Sequence, residues 1–279
     1  MRLQLHLRAT ADAVYDNAYH HKLRGRLWQA LDESFDEDHE SRRGVGLAFS
    51  GPYPWGDIKE GDSLSVLVAS PRRELLDSLI ADLSRNREFN IGEMPFELED
   101  ITAHNPDVGE PGTEGTLETV TGVVCRLTKE QVEEYGLDTT EIESGETETR
   151  TFWRPDHGMG PLRDSIRHSL QLSHEWFGDQ TRPGPYEVDH RLWSSIEPIK
   201  DDITYALPFS PATGVERTLI VSKWTLGYRV RDDTHRYHLN LALDCGIGQR
   251  REHGFGFVNV EQTKHTSPVK TERGSQVTH

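Results

Sequence analysis

The sequence predicts an α+β protein of two tandem domains, residues 1–104 and 116–260, with a disordered tail over 261–279. Three observations carry this. Hydrophobic patterns of period 2 and period 3.6 alternate through the first hundred residues in the order strand, helix, strand, strand, helix, strand. Residues 105–115 are rich in Pro, Gly and acid, as a linker is. A second half then opens on a new alternating segment, 116–127.

Residues 2–8 (RLQLHLR) place Leu3, Leu5 and Leu7 on one face, as in a half-buried strand. Asp16 or Asn17 can cap the helix that follows, where Leu23, Leu27, Trp28 and Leu31 recur at helical spacing. An acidic turn over 36–40 leads to a short strand at 45–50, ended by Gly51-Pro52-Tyr53-Pro54. Residues 63–70 (SLSVLVAS) are a clear strand. Pro71 starts a helix with Leu75, Leu76, Leu79, Ile80 and Leu83 on one side, and 94–103 alternate again. This is the order of a ferredoxin-like (RRM-like) split βαβ unit.

In the second half, 129–148 are acidic and weakly patterned, as in a solvated insertion, and 161–177 form an amphipathic helix. Strand-like runs follow at 203–208, 218–230, 237–243 and 255–260. No second helix is legible here, so the second ferredoxin-like unit is expected to be degenerate.

The whole chain carries 47 acidic and 31 basic residues, a net charge of -16. That is unusual for a nucleic-acid binder, whose affinity rests on Lys and Arg. The acid is concentrated, however: residues 97–148 hold 15 acidic and 2 basic side chains, whereas 217–251 hold 7 basic and 3 acidic. The cations are 24 Arg against 7 Lys. An acid-rich, lysine-poor surface suits a high-salt cytoplasm, where like-charge repulsion is screened within a few ångströms. A halophilic source is therefore expected. No apolar run is long enough to span a bilayer, and the first residues do not form a signal peptide. Two cysteines, Cys125 and Cys245, provide neither a disulfide framework nor a zinc pattern. A soluble, cytoplasmic protein without membrane contact is the expectation.

The most unusual stretch is Cys245-Gly246-Ile247-Gly248-Gln249-Arg250-Arg251-Glu252-His253-Gly254-Phe255-Gly256-Phe257. Glycines let backbone N–H groups approach a phosphate closely, and Arg250 and Arg251 add charge. It is not a Walker loop, because it lacks the Gly-Lys-Ser/Thr ending, nor a dinucleotide fingerprint, because it precedes a late strand. A flexible hairpin with incidental arginines would have the same composition.

This loop resembles the glycine-rich signature of the RAMP superfamily, and its Gly254-Phe255-Gly256 ending resembles that of the superfamily's CRISPR RNA-processing endoribonucleases. The first helix, Asn17-Ala18-Tyr19-His20-His21-Lys22-Leu23-Arg24-Gly25-Arg26-Leu27-Trp28, is similar to theirs as well. The resemblance implies two tandem ferredoxin-like domains and metal-independent cleavage of CRISPR repeat RNA. It implies CRISPR repeat RNA as partner, together with other subunits of a type I CRISPR interference complex. A non-catalytic RNA-binding subunit of the same superfamily is the alternative.

Metal-free cleavage needs a base for the 2′-OH, cations or donors for the phosphate, and an acid for the 5′ oxygen. Histidine suits acid and base roles near neutrality. In the resembling family the catalytic histidine lies just beyond the first helix, which implies His39, with Arg42 or Arg43 facing the phosphate. By residue type alone, His39 is equally one more polar residue in an acidic turn. His20 and His21 are rivals, and adjacent helical residues point about 100° apart, so at most one faces a cleft. Relatives often carry tyrosine where this chain has Trp28, which can stack but cannot transfer a proton. RNA-binding candidates are Arg24, Arg26, Arg43, Gly246, Gly248, Arg250, Arg251, Gly254 and Gly256, with Arg229, Arg231 and Arg236 further along. For these strand arginines, pairing with the acidic surface is the alternative. His168 and His174 lack zinc-helix spacing, so neither a catalytic metal nor another cofactor is expected.

Overall fold

The computed structural model describes residues 1–16, 19–31, 45–137, 151–188, 192–199, 204–212 and 215–261. Its N-terminal half contains β1 (Arg2–Ala9), α1 (Tyr19–Gln29), β2 (Ala48–Phe49), β3 (Ser63–Ala69), α2 (Arg73–Leu83) and β4 (Phe96–His104). The strands form one antiparallel sheet of order β2-β3-β1-β4, as a ferredoxin-like unit requires. Leu3, Leu5 and Leu7 are fully buried against Leu23 and Leu27 of α1 and Leu75, Leu76, Leu79 and Leu83 of α2. Each such leucine contributes about 2 kcal/mol, which outweighs the roughly 1 kcal/mol that Gly25 costs inside α1. The strand expected over 45–50 is shorter than its pattern: only Ala48 and Phe49 pair, opposite Ala69 and Val68. The acidic turn with His39, Arg42 and Arg43 lies outside the described residues, as does the tail over 262–279.

The C-terminal half contains β5 (Glu114–Thr119), β6 (Val123–Val124), β7 (Arg126–Leu127), α3 (Lys129–Glu134), β8 (Thr151–Phe152) and α4 (Met159–Phe177). It continues with β9 (Ser195–Pro198), β10 (Thr204–Ala212), β11 (Val215–Ser222), β12 (Trp224–Arg229), α5 (Asp233–Cys245) and β13 (Val258–Glu261). Chain order β5, α4, β9, β12, α5, β13 repeats the βαββαβ pattern. The sheet order β13-β5-β12-β9 matches that of the first half position for position. The protein is therefore two tandem ferredoxin-like folds. The second unit departs from a regular repeat through an inserted sheet, β10-β11-β6, and not through a missing helix.

The run 237–243, read as a strand, is helical and forms most of α5. Its buried residues include His235, His238, Leu239 and Ala242 at helical spacing, but also Leu241 and Leu243, because α5 touches both β13 and β3 of the other half. Burial on two sides erases the polar stripe, and two buried histidines read as polar. The alternation of Leu239, Leu241 and Leu243 then mimics a strand. Asp232 caps this helix by accepting from the His235 N–H at 2.7 Å. The segment 116–127 is interrupted into β5, β6 and β7, and 218–230 divides at Lys223 into β11 and β12. At the start of the acidic insertion, Thr128 and Gln131 cap α3 reciprocally.

The two halves are joined through the chain's first residues. Arg2, buried, donates to Leu243 O at 2.8 Å and to Asn259 Oδ1 at 2.9 Å, with its guanidinium over the Phe257 ring. The Met1 ammonium meets Asp244 at 2.9 Å. Among the described residues, no helix is long and apolar enough to cross a membrane.

Candidate nucleic-acid interface and active site

The glycine loop leaves α5 at Gly246 and returns to β13 as a hydrogen-bonded structure. Gly248 N–H donates to Ser169 Oγ of α4, Gln249 N–H to Val124 O of β6, and Gly256 N–H to Gly122 O, each at 2.9 Å. Gly254 and Gly256 sit at φ +81° and +63°. A Cβ at Gly254 would run into the Phe49 ring of β2, and one at Gly256 into the Ile247 carbonyl oxygen. The glycines therefore seat the loop against both halves.

At the loop's tip Arg250 has a left-handed backbone, φ 57°, and a 3₁₀ turn over Arg251–His253 follows. This turn lies against α1. His20 Nδ1 is 2.8 Å from the His253 carbonyl oxygen, and since a carbonyl only accepts, Nδ1 carries the proton. The His20 ring is stacked between Tyr19 and Phe255, centroids 4.2 and 4.3 Å away. Phe209 of β10 closes the cluster edge-on, 6.3 Å from His20 and 5.4 Å from His253. The Arg250 guanidinium lies over Phe209 at 5.1 Å and that of Arg24 over Trp28 at 5.5 Å.

Burial, followed by the charges of Arg24 and Arg250, pushes His253 down to about 3. Burial also pushes His20 down to about 4, against the opposing effect of its bond to the carbonyl. Both imidazoles are thus neutral at pH 7, and Arg24 and Arg250 supply the positive charge at this junction. Two guanidiniums acting on one ring form a place where a phosphate would gain.

Of the residues singled out in the sequence, the structure brings together His20, His21, Arg24, Arg250, Gly254 and Gly256. His21 acts on His253 as well, and its buried Nδ1 has no hydrogen-bond partner among the described residues. Gly246 and Gly248 shape the loop's base instead of its tip. Arg26 is buried, donating to Glu88 O at 3.0 Å with its guanidinium over Phe89 at 5.0 Å, so it braces the first core. Arg251 turns inward under α4 and donates to the Ser173 hydroxyl. Arg229 and Arg236 pair with Glu114, Asp107 and Glu110, which is the surface reading of those arginines. Sequence reasoning missed His253, Phe209 and Phe255 as members of the cluster. A histidine inside the loop was a usable signal for the first, and none existed for Phe209. Among the described residues, no group of three His, Cys, Asp or Glu side chains is placed to hold a metal.

The buried imidazoles also predict an acid-labile fold. His20 and His238 lie at about 4, His253 at about 3, and His235 is lowered in the same direction, all mainly by burial. An unfolded histidine titrates near 6.5, so the neutral forms stabilise the fold fully above about pH 6.5. That stability drains away as pH falls from 6.5 through 4, where unfolding takes up as many as four protons. His238→Gln is expected to flatten the dependence by one proton. Denaturation midpoints at fixed salt between pH 7 and 4.5 check this, and a flat profile refutes it.

Two ferredoxin-like folds with a glycine-rich loop seated on the first helix are the arrangement that the resemblance to the RAMP superfamily implied. The family model described as "CRISPR associated protein Cas6, C-terminal" matches residues 109–260. A CRISPR-associated endoribonuclease Cas6 of Haloferax mediterranei is 51% identical over 266 residues, 95% of each chain. Among solved structures, a Cas6-related protein from Pyrococcus furiosus superposes with TM-score 0.68 at 18% identity, covering 95% of this chain and 99% of that one. A structure described as a RAMP protein binding different RNA substrates has TM-score 0.65 at 17% identity, covering 94% and 100%. The chain belongs to the Cas6 family of CRISPR-associated endoribonucleases. A Haloferax relative agrees with the high-salt reading of the acid excess.

Proposed function

We propose that this protein cuts CRISPR precursor RNA within its repeats, without a metal, by attack of a 2′-OH on the adjacent phosphorus. The products are a 2′,3′-cyclic phosphate and a 5′-OH. The observation that carries this reading is the convergence of α1 and the glycine loop: His20 of α1 meets the His253 carbonyl at 2.8 Å, and the charges of Arg24 and Arg250 both oppose protonation of the half-buried His253 ring. A phosphodiester held there gains charge stabilisation as negative charge builds in the transition state. Arg24, Arg250 and the loop around Gly254 and Gly256 hold the backbone. His39 supplies the main acid or base group, with Arg42 and Arg43 beside it and His21 as second imidazole. His20 positions the loop. Residues 1–104 and 116–260 serve as the two domains that carry this site. The solved RAMP relative named for binding different RNA substrates supports RNA as the ligand. A cytoplasmic location, and other subunits of a type I CRISPR interference complex as partners, follow from the same reading.

The test is incubation of purified protein with end-labelled repeat RNA in EDTA and molar salt, followed by analysis of the new ends. One cut leaving a cyclic phosphate and a 5′-OH is expected. Binding without cleavage would instead identify a non-catalytic RNA-binding subunit, and absence of binding in native salt would overturn the RNA reading altogether.

A further inference from the structure

A cavity of about 280 Å³ opens between α4 and the glycine loop, on the α4 side of the loop. Leu47, Leu172 and Trp176 give it apolar and aromatic walls, and Ser165, His168 and Arg251 give it polar ones. The volume is far above the roughly 30 Å³ of one water and close to the lower end, about 300 Å³, of small-molecule sites. A bare phosphate would leave most of it empty and leave the walls of Leu172 and Trp176 wet. Arg251 has five N–H donors, and its one side-chain hydrogen bond among the described residues is to the Ser173 hydroxyl. A flat apolar wall beside a guanidinium fork suits a planar ring with two acceptors on one edge. Among nucleobases that edge is the O6/N7 pair of guanine. Sequence-specific RNA readers take such bases in unstacked form, against aromatic rings and arginines.

Arg250 of the same loop also lines the cavity, and its guanidinium lies over Phe209 of β10. A nucleotide in the cavity is therefore next to the backbone held between Arg24 and Arg250. We propose that the cavity walled by Leu172, Trp176 and Arg251 is a specificity pocket for one unstacked guanine nucleotide of the bound RNA. This rests on the RNA-cleaving reading above. The pocket selects the register of the cut, while Arg24 and Arg250 hold the chain without regard to sequence.

The test uses the full-length protein and repeat RNAs carrying single abasic sites scanned across the cleavage region. Wild type is expected to lose about tenfold in cleavage at one guanine position, the worth of one stacked and hydrogen-bonded base. At that position 7-deazaguanine, which lacks the N7 acceptor, should lose a similar factor. Leu172→Trp fills the cavity, so it should cut intact RNA about tenfold more slowly. In that variant the abasic penalty at the same position should vanish. Its melting temperature checks folding. Should it fail to fold, Trp176→Ala removes the wall and is expected to shrink the same penalty. Penalties unchanged in both variants, or a responsive position that is not guanine, overturn the pocket alone while cleavage by wild type stands. A wild type that neither binds nor cuts repeat RNA overturns the underlying function and this inference with it.

Discussion

His39→Ala is expected to slow cleavage of repeat RNA by about 10²- to 10⁴-fold, the usual worth of a positioned acid or base, and to leave RNA affinity nearly unchanged. The side chains packed at the junction of α1 and the loop are poorly suited to proton transfer. His20 is neutral, buried, and sandwiched between Tyr19 and Phe255 with its Nδ1 proton committed to the His253 carbonyl. At about 4 it is too weak a base for a 2′-OH and, being unprotonated, too poor an acid near neutrality. His253, at about 3, is weaker still because Arg24 and Arg250 oppose its protonation. Burial holds the Tyr19 phenol well above its ordinary value, so it does not deprotonate either. Trp28 has no titratable proton. The proposed acid or base is His39, the histidine beyond the first helix that the resemblance to the CRISPR RNA-processing endoribonucleases implies. Single-turnover cleavage with parallel binding measurements decides it. Cleavage that survives His39→Ala and is lost in His21→Ala would move the proton transfer onto α1.

Gly256→Ala is expected to destabilise the protein by about 3–5 kcal/mol, combining left-handed strain with a steric clash. That lowers the melting temperature by roughly 10 °C in a chain of this size. Gly256 is at φ +63°, and its new Cβ would collide with the Ile247 carbonyl oxygen, a backbone atom that cannot rotate away. Ile247 N–H donates to Gly256 O at 2.9 Å, so parting Ile247 from Gly256 to relieve the clash breaks the closure of the loop. Arg250 and His253 hang from this closure, and RNA cleavage should be lost even at temperatures where the rest of the fold survives. A variant that melts like wild type would show that the loop tolerates a shift. Gly25→Ala is the control, because a Cβ there meets nothing within 4 Å.

Much of the first half was legible because its elements obey one rule each. The alternation of Leu3, Leu5 and Leu7 and the one-sided leucines of α2 are local consequences of a single buried face. Where an element is buried on two faces the rule fails, and α5 is the case in point. The cap of α3 was readable as Thr128-x-x-Gln131, but the acidic run around it obscured it. Within α1, the phase could have separated the arginines: Arg26 stands three residues after buried Leu23 and so shares its inward side, whereas Arg24 does not.

The sequence by itself determined the pieces of the site: a helix carrying His20, His21 and Arg24, four glycines that demand unusual backbone, and an excess of acid away from the loop. Periodicity, capping and glycine placement are properties of a few neighbouring residues, so a linear reading reaches them. Only the tertiary structure decided that His20 meets His253 across 233 positions, that Phe209 closes over both, and that Arg251 turns inward while Arg250 stays at the cleft. Those contacts depend on how two four-stranded sheets and an inserted hairpin pack against one another, and no short stretch of sequence encodes that packing.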